Sequence, residues 1–94
     1  MSYQVRLRRV AQKHLDRLNR QDYERIAKAI SALEQEPRLP KAKKLAESGL
    51  WRVRVGQYRI VYNINDTERL VIVVRVARRG KYLQKAVKNR GGQT

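Results

Sequence analysis

Apolar residues along this chain recur with two different periods, and the points where the period changes mark its elements. Tyr3, Val5 and Leu7 alternate with Gln4, Arg6 and Arg8, the period-two signature of a strand with one buried face. Ala11, Leu15 and Leu18 then fall at helical spacing. After a polar break at 19–21, Tyr23, Ile26, Ala27, Ile30 and Leu33 mark the apolar stripe of a second, longer helix. Asp22 and Glu24 are placed in its first turn, where carboxylates suit the positive end of the helix dipole. Pro37 ends the helix, because the residue before a proline avoids the helical region. Residues 38–48 read as a basic, partly ordered loop anchored by Leu39 and Leu45, and Gly49 breaks it before the next element.

From residue 50 the pattern is that of strands. Residues 50–55, a tight Gly56-Gln57 turn, 58–64, a polar turn at 65–68, and 69–77 predict two hairpins in series. Leu83, Ala86 and Val87 predict a last helix over 82–90, and Gly91-Gly92 ends it ahead of a mobile tail at 91–94. The order β-α-α-β-β-β-α describes one α+β domain over residues 1–94. It is expected to be an antiparallel sheet with two N-terminal helices packed on one face and the other face open and basic.

Ninety-four residues support one core, and with no Phe that core must be built from Leu, Ile, Val and Tyr. The absence of Cys leaves neither a disulfide framework nor a thiolate metal site, and a cytoplasmic location is expected. Residues 1–10 lack the apolar stretch of a signal peptide, and the longest apolar run, 70–74, is too short to span a bilayer. The net charge of +15 changes the picture most. Residues 11–36 carry five Lys/Arg against five Asp/Glu, whereas 38–59 carry seven against one. An excess so placed implies a polyanionic partner for the second half of the chain, through release of counterions from phosphates. Composition alone fits a generic nucleic-acid-coating protein equally well.

In the strand at 50–55, Arg52 and Arg54 share the face opposite Val53 and Val55, and alternation separates Arg59 from Tyr58 and Ile60. The short hairpin therefore brings three guanidinium groups to one patch. Arg78, Arg79, Lys81 and Tyr82 follow the last strand and are placed to close over it. A guanidinium is a permanently charged planar fork suited to phosphate, so a phosphodiester is the natural occupant. Lys41, Lys43 and Lys44 in the basic loop, with Arg79 and Lys81, are candidate RNA contacts. Tyr58, Tyr62 and Trp51 read as core residues. His14, the only histidine, lies in the charge-neutral helical part, which excludes a histidine-pair ribonuclease. No acidic cluster is available to hold Mg²⁺, and no cofactor is expected.

The segment Gly49-Leu50-Trp51-Arg52-Val53-Arg54-Val55-Gly56-Gln57-Tyr58-Arg59-Ile60-Val61-Tyr62, followed by a valine-rich strand and residues 78–82, resembles the RelE/ParE toxin superfamily. The stretch 32–37 leading to Lys43-Lys44-Leu45 also fits, so the likeness covers almost the whole chain. It implies a RelE-type toxin of a type II toxin–antitoxin pair, an mRNA interferase that acts at the ribosomal A site without metal and is restrained by an acidic antitoxin. By resemblance, Arg52 and Arg54 match paired basic positions, Arg59 the phosphate-binding arginine, Arg78 or Arg79 the second arginine, and Tyr82 the tyrosine. Some members carry lysines at 52 and 54, and many carry a histidine where this chain has Ala77. Arginine cannot act as a base at neutral pH, so Tyr82 is the candidate to take the ribose 2′-hydroxyl proton. Two other readings share the fold: a ParE-like toxin that binds DNA gyrase, and a non-catalytic domain that docks on RNA or ribosomes.

Overall fold

The computed structural model describes residues 2–78, and the helix expected over 82–90 lies outside them. The alternation at the start of the chain forms β1 (Gln4–Leu7), followed by α1 (Arg9–Asp16) and α2 (Arg20–Ala32). Then come β2 (Lys43–Lys44), β3 (Trp51–Val55), β4 (Tyr58–Asn65) and β5 (Leu70–Arg78). The five strands form one sheet in the order β1-β5-β4-β3-β2.

Two features depart from the sequence reading. The sheet is mixed, not wholly antiparallel: β1 runs parallel to β5, pairing Val5 with Val71 and Leu7 with Val73. The helical connection makes this possible, since α1 and α2 carry the chain across the sheet and the meander returns beside its starting strand. The basic loop also contains a strand, because Lys43 and Lys44 pair antiparallel with Arg52 and Trp51. A two-residue ladder inside a charged loop leaves no hydrophobic alternation by which to find it.

The core lies between the sheet and both helices. Ala11 and Leu15 of α1, Ile26 and Ile30 of α2, and Leu33 just beyond it are buried against Val53, Ile60, Tyr62, Val71, Val73 and Val76. Both helices therefore cover the same sheet face. The α2 stripe is centred on Ile26, Ile30 and Leu33, and Tyr23 on its flank is 40% exposed. Asp22, not Tyr23, meets the sheet in that first turn, accepting a hydrogen bond from the Tyr58 hydroxyl at 3.1 Å. Asn19 caps the helix by accepting from the Asp22 backbone N–H at 2.8 Å. Glu24 lies past the first turn and pairs with Arg20 at 3.3 Å.

Pro37 does not itself end α2, which gives way at Leu33 to a run of tight turns through Glu36. The chain after it is tied back at two points. The buried Tyr62 hydroxyl donates to the Pro37 carbonyl at 2.7 Å. Arg38 grips Asp66 through two hydrogen bonds of 2.8 and 3.2 Å, and the Tyr3 hydroxyl donates to the same carboxylate at 2.6 Å. The Arg38 guanidinium also lies 5.5 Å from the Trp51 ring centre. At the β3–β4 turn, Gly56 adopts φ +61°, as the first position of a type II′ hairpin requires.

A cationic cleft on the uncovered sheet face

Among the described residues, no helix packs on the face opposite α1 and α2, and the strand register determines which side chains stand there. Cross-strand partners share a face. Lys43 pairs with Arg52, Arg52 with Val61, and Val61 with Arg75, giving one row across β2, β3, β4 and β5. A second row, toward the β3–β4 turn, sets Arg54 beside Arg59 and Arg59 beside Ala77. The expected convergence of Arg52, Arg54 and Arg59 is present, and Lys43 joins them. Lys44 pairs with Trp51 and so belongs to the helix-side face, while Lys41 lies in an exposed turn outside the ladder.

Between the two rows lies a half-open cleft of about 190 Å³, lined by Leu45, Arg52, Arg59, Val61, Arg75, Ala77 and Arg78. No Asp or Glu occurs in any of the five strands. Arg52, Arg54 and Arg75 have no acidic partner among the described residues. Arg78 borders the cleft at the end of its strand, but its register pairs it with Tyr58 of the helix-side face, and its guanidinium donates to Gln57 Oε1 at 3.0 Å. Arg79, Lys81 and Tyr82 lie outside the described residues.

Arg75 did not stand out in the sequence. The β4–β5 register shifts between Val61 and Tyr62, since Val61 pairs with Arg75 but Tyr62 pairs with Val73, leaving Val74 as an extra residue. Buried positions in β5 therefore run Val71, Val73, Val76, with odd spacing after the bulge. Strict alternation from Val71 and Val73 would drive Arg75 into the core. That conflict between period and charge is the signal from which the bulge could have been read.

The cleft contains guanidinium groups and apolar floor but no proton-transfer group among the described residues. Tyr58 and Tyr62 face the helices, as expected of core residues. Burial raises Tyr58 above its ordinary value, aided by its hydrogen bond to Asp22, and burial pushes Tyr62 up to about 12. Trp51 packs against the core with them. His14 is half-buried on α1, on the far side of the sheet. No group of His, Asp and Glu among the described residues could hold a metal ion, and no helix there is long and apolar enough to cross a membrane.

The model of the ParE toxin family of type II toxin–antitoxin systems, parDE, matches residues 5–82. The fold resembles the archaeal RelE–RelB complex from Pyrococcus horikoshii, with 30% identity and a TM-score of 0.75 over 86% of this chain and 99% of that one. The toxin–antitoxin complex RelBE2 of Mycobacterium tuberculosis is 29% identical, with a TM-score of 0.76 over 84% of this chain and 100% of that one. The isolated E. coli RelE toxin shares the fold at 22% identity, with a TM-score of 0.73 over 96% of this chain and 100% of that one. Comparison with curated protein sequences gives no match. A chain whose sequence matches a toxin family from its first strand to beyond its last, and whose sheet and helices superpose on RelE, belongs to the RelE/ParE superfamily of type II toxin–antitoxin toxins.

Proposed function

We propose that this toxin is a metal-independent endoribonuclease that cleaves mRNA on the ribosome. The observation that carries the reading is the row structure of the face opposite the helices, where the strand register sets Arg52, Arg54 and Arg59 on one side of the sheet together with Lys43. Such a face suits the phosphodiester of a strand presented in fixed geometry. In this reading the ribose 2′-oxygen attacks the adjacent phosphorus and the 5′-oxygen leaves, giving a 2′,3′-cyclic phosphate and a 5′-hydroxyl. Arg59 and Arg52 stabilise the charge that develops on the phosphorane oxygens. Guanidinium groups do not give up protons at neutral pH, so deprotonation of the 2′-hydroxyl falls to a group beyond residue 78, for which Tyr82 is the candidate. The downstream arginine of the family pattern is better supplied by Arg79 than by Arg78, which registers on the helix-side face.

Weak proton-transfer groups make positioning the larger contribution, so cleavage should depend on the ribosome to align the 2′-hydroxyl in line. The Pyrococcus and Mycobacterium relatives are complexes with antitoxins, and we propose an acidic antitoxin for this chain as well. The match to the ParE model favours one second reading, a toxin that binds DNA gyrase. Primer extension on a ribosome-bound message separates the two. Discrete cuts in the message support the ribonuclease. Intact message at stoichiometric toxin, with gyrase supercoiling blocked, supports the gyrase reading.

A further inference from the structure

We propose that Arg75 is a phosphate-binding residue of the cleft, brought there by the β5 bulge, and that Arg52, Arg59 and Arg75 hold one phosphodiester over Val61. This deepens the ribonuclease reading and rests on it for the identity of the ligand as RNA. The geometry follows from register. Arg52 and Arg75 flank Val61 on its two neighbouring strands, and Arg59 stands two residues along β4 from Val61. Adjacent strands lie about 4.8 Å apart and two residues of a strand span about 6.7 Å, so long guanidinium arms from all three reach a point above the valine. All three side chains line the same cleft with Val61.

The bulge is what makes the third arm possible. Without the extra residue at Val74, the alternation that buries Val71 and Val73 would bury residue 75 as well. With it, Arg75 is exposed on the cleft side and Val76 takes the core position. Bulges re-aim side chains in this way beside functional sites. The Arg75 side chain makes no hydrogen bond or ion pair among the described residues, so its placement is not explained by a structural partner. Val61 contributes no polar atom and presents a low-dielectric floor, which strengthens charge–phosphate attraction above it.

The test uses the full chain and a labelled single-stranded oligonucleotide of 2′-O-methyl RNA, which lacks the attacking hydroxyl and cannot be cut. Affinity is measured against salt for the wild type, Arg75→Ala, and Arg20→Ala, a control of equal charge change on the helix side. Arg75→Ala is expected to weaken binding about tenfold and to reduce the salt slope by about 0.7, the loss of one phosphate contact to a single strand. Arg20→Ala should leave both nearly unchanged. If Arg75→Ala behaves like Arg20→Ala, or if the wild type binds no oligonucleotide, the proposal is overturned. Ribosomal cleavage by the wild type, measured separately, tests the ribonuclease reading alone. Retained cleavage with an unchanged Arg75→Ala slope would sink only the role of Arg75.

Discussion

Arg54 and Arg59 stand directly opposite one another across the β3–β4 hairpin, two like charges in one cross-strand pair. Like charges directly opposite one another are destabilising compared with neutral neighbours. A phosphate bound beside this pair would offset the repulsion between the two guanidinium groups. Inorganic phosphate should raise the melting temperature more than chloride at equal ionic strength. Arg54→Thr should be slightly more stable than the wild type in chloride and should gain less from phosphate. Thermal unfolding in the two salts checks both expectations.

The Asp66 carboxylate links three separated segments, and hydrogen bonds from Arg38 and then from Tyr3 hold its pKa down to about 2. In the unfolded chain an aspartate titrates near 3.9, so the folded state binds fewer protons between those values. This contribution is fully present above about pH 4 and is lost as pH falls through about 2. Asp66→Asn should lower stability at neutral pH. It should also flatten the acid limb of a stability–pH profile, so that variant and wild type converge near the bottom of that window.

Tyr62 combines full burial with a 2.7 Å hydrogen bond to the Pro37 carbonyl. Tyr62→Phe leaves that carbonyl without its donor and should cost about 1–3 kcal/mol in denaturant unfolding. Because burial pushes the phenol up to about 12, its share of stability is complete below about pH 10 and declines as pH rises toward 12. The variant should lack that alkaline component.

Two arginines bordering the cleft should behave differently when removed. Arg59→Ala should reduce ribosomal cleavage by roughly two orders of magnitude, the usual effect of losing one charge-stabilising contact. Arg78→Ala should retain most activity, because its guanidinium is engaged by Gln57 at 3.0 Å and its register points to the helix side. Growth arrest on expression, with folding checked by circular dichroism, reads both.

An acidic antitoxin should associate at a rate that falls steeply with ionic strength while its dissociation changes little. Charge complementarity governs encounter, and buried apolar contact governs lifetime. Rates measured by surface plasmon resonance across a salt series check this.

The amphipathic parts of the fold were legible in the sequence because burial imposes their period. Val5 and Leu7, Ala11 and Leu15, Ile26, Ile30 and Leu33, and the faces of β3 and β4 all follow from spacing alone. Arg52, Arg54 and Arg59 could be brought together for the same reason, since a two-residue turn fixes the register of their hairpin. What escaped depends on long-range pairing. The parallel match of Val5 with Val71 spans most of the chain, and nothing local encodes its direction. Lys43 and Lys44 form a strand only because β3 offers them an edge. The bulge at Val74 inverted the expected phase of β5, hiding Arg75 and moving Arg78 toward the helices.

The brevity of β2 bears on how this end of the sheet meets other strands. A sheet edge is a template for other strands, and copies of one chain meet that hazard first. Here the edge beyond β3 ends in two residues, both lysines, one directed to each face. A second molecule pairing with β2 itself would find only two residues to hold it, and would bring its own Lys43 and Lys44 against the same charges. A short strand carrying positive charge is the kind of edge that disfavours pairing with further strands.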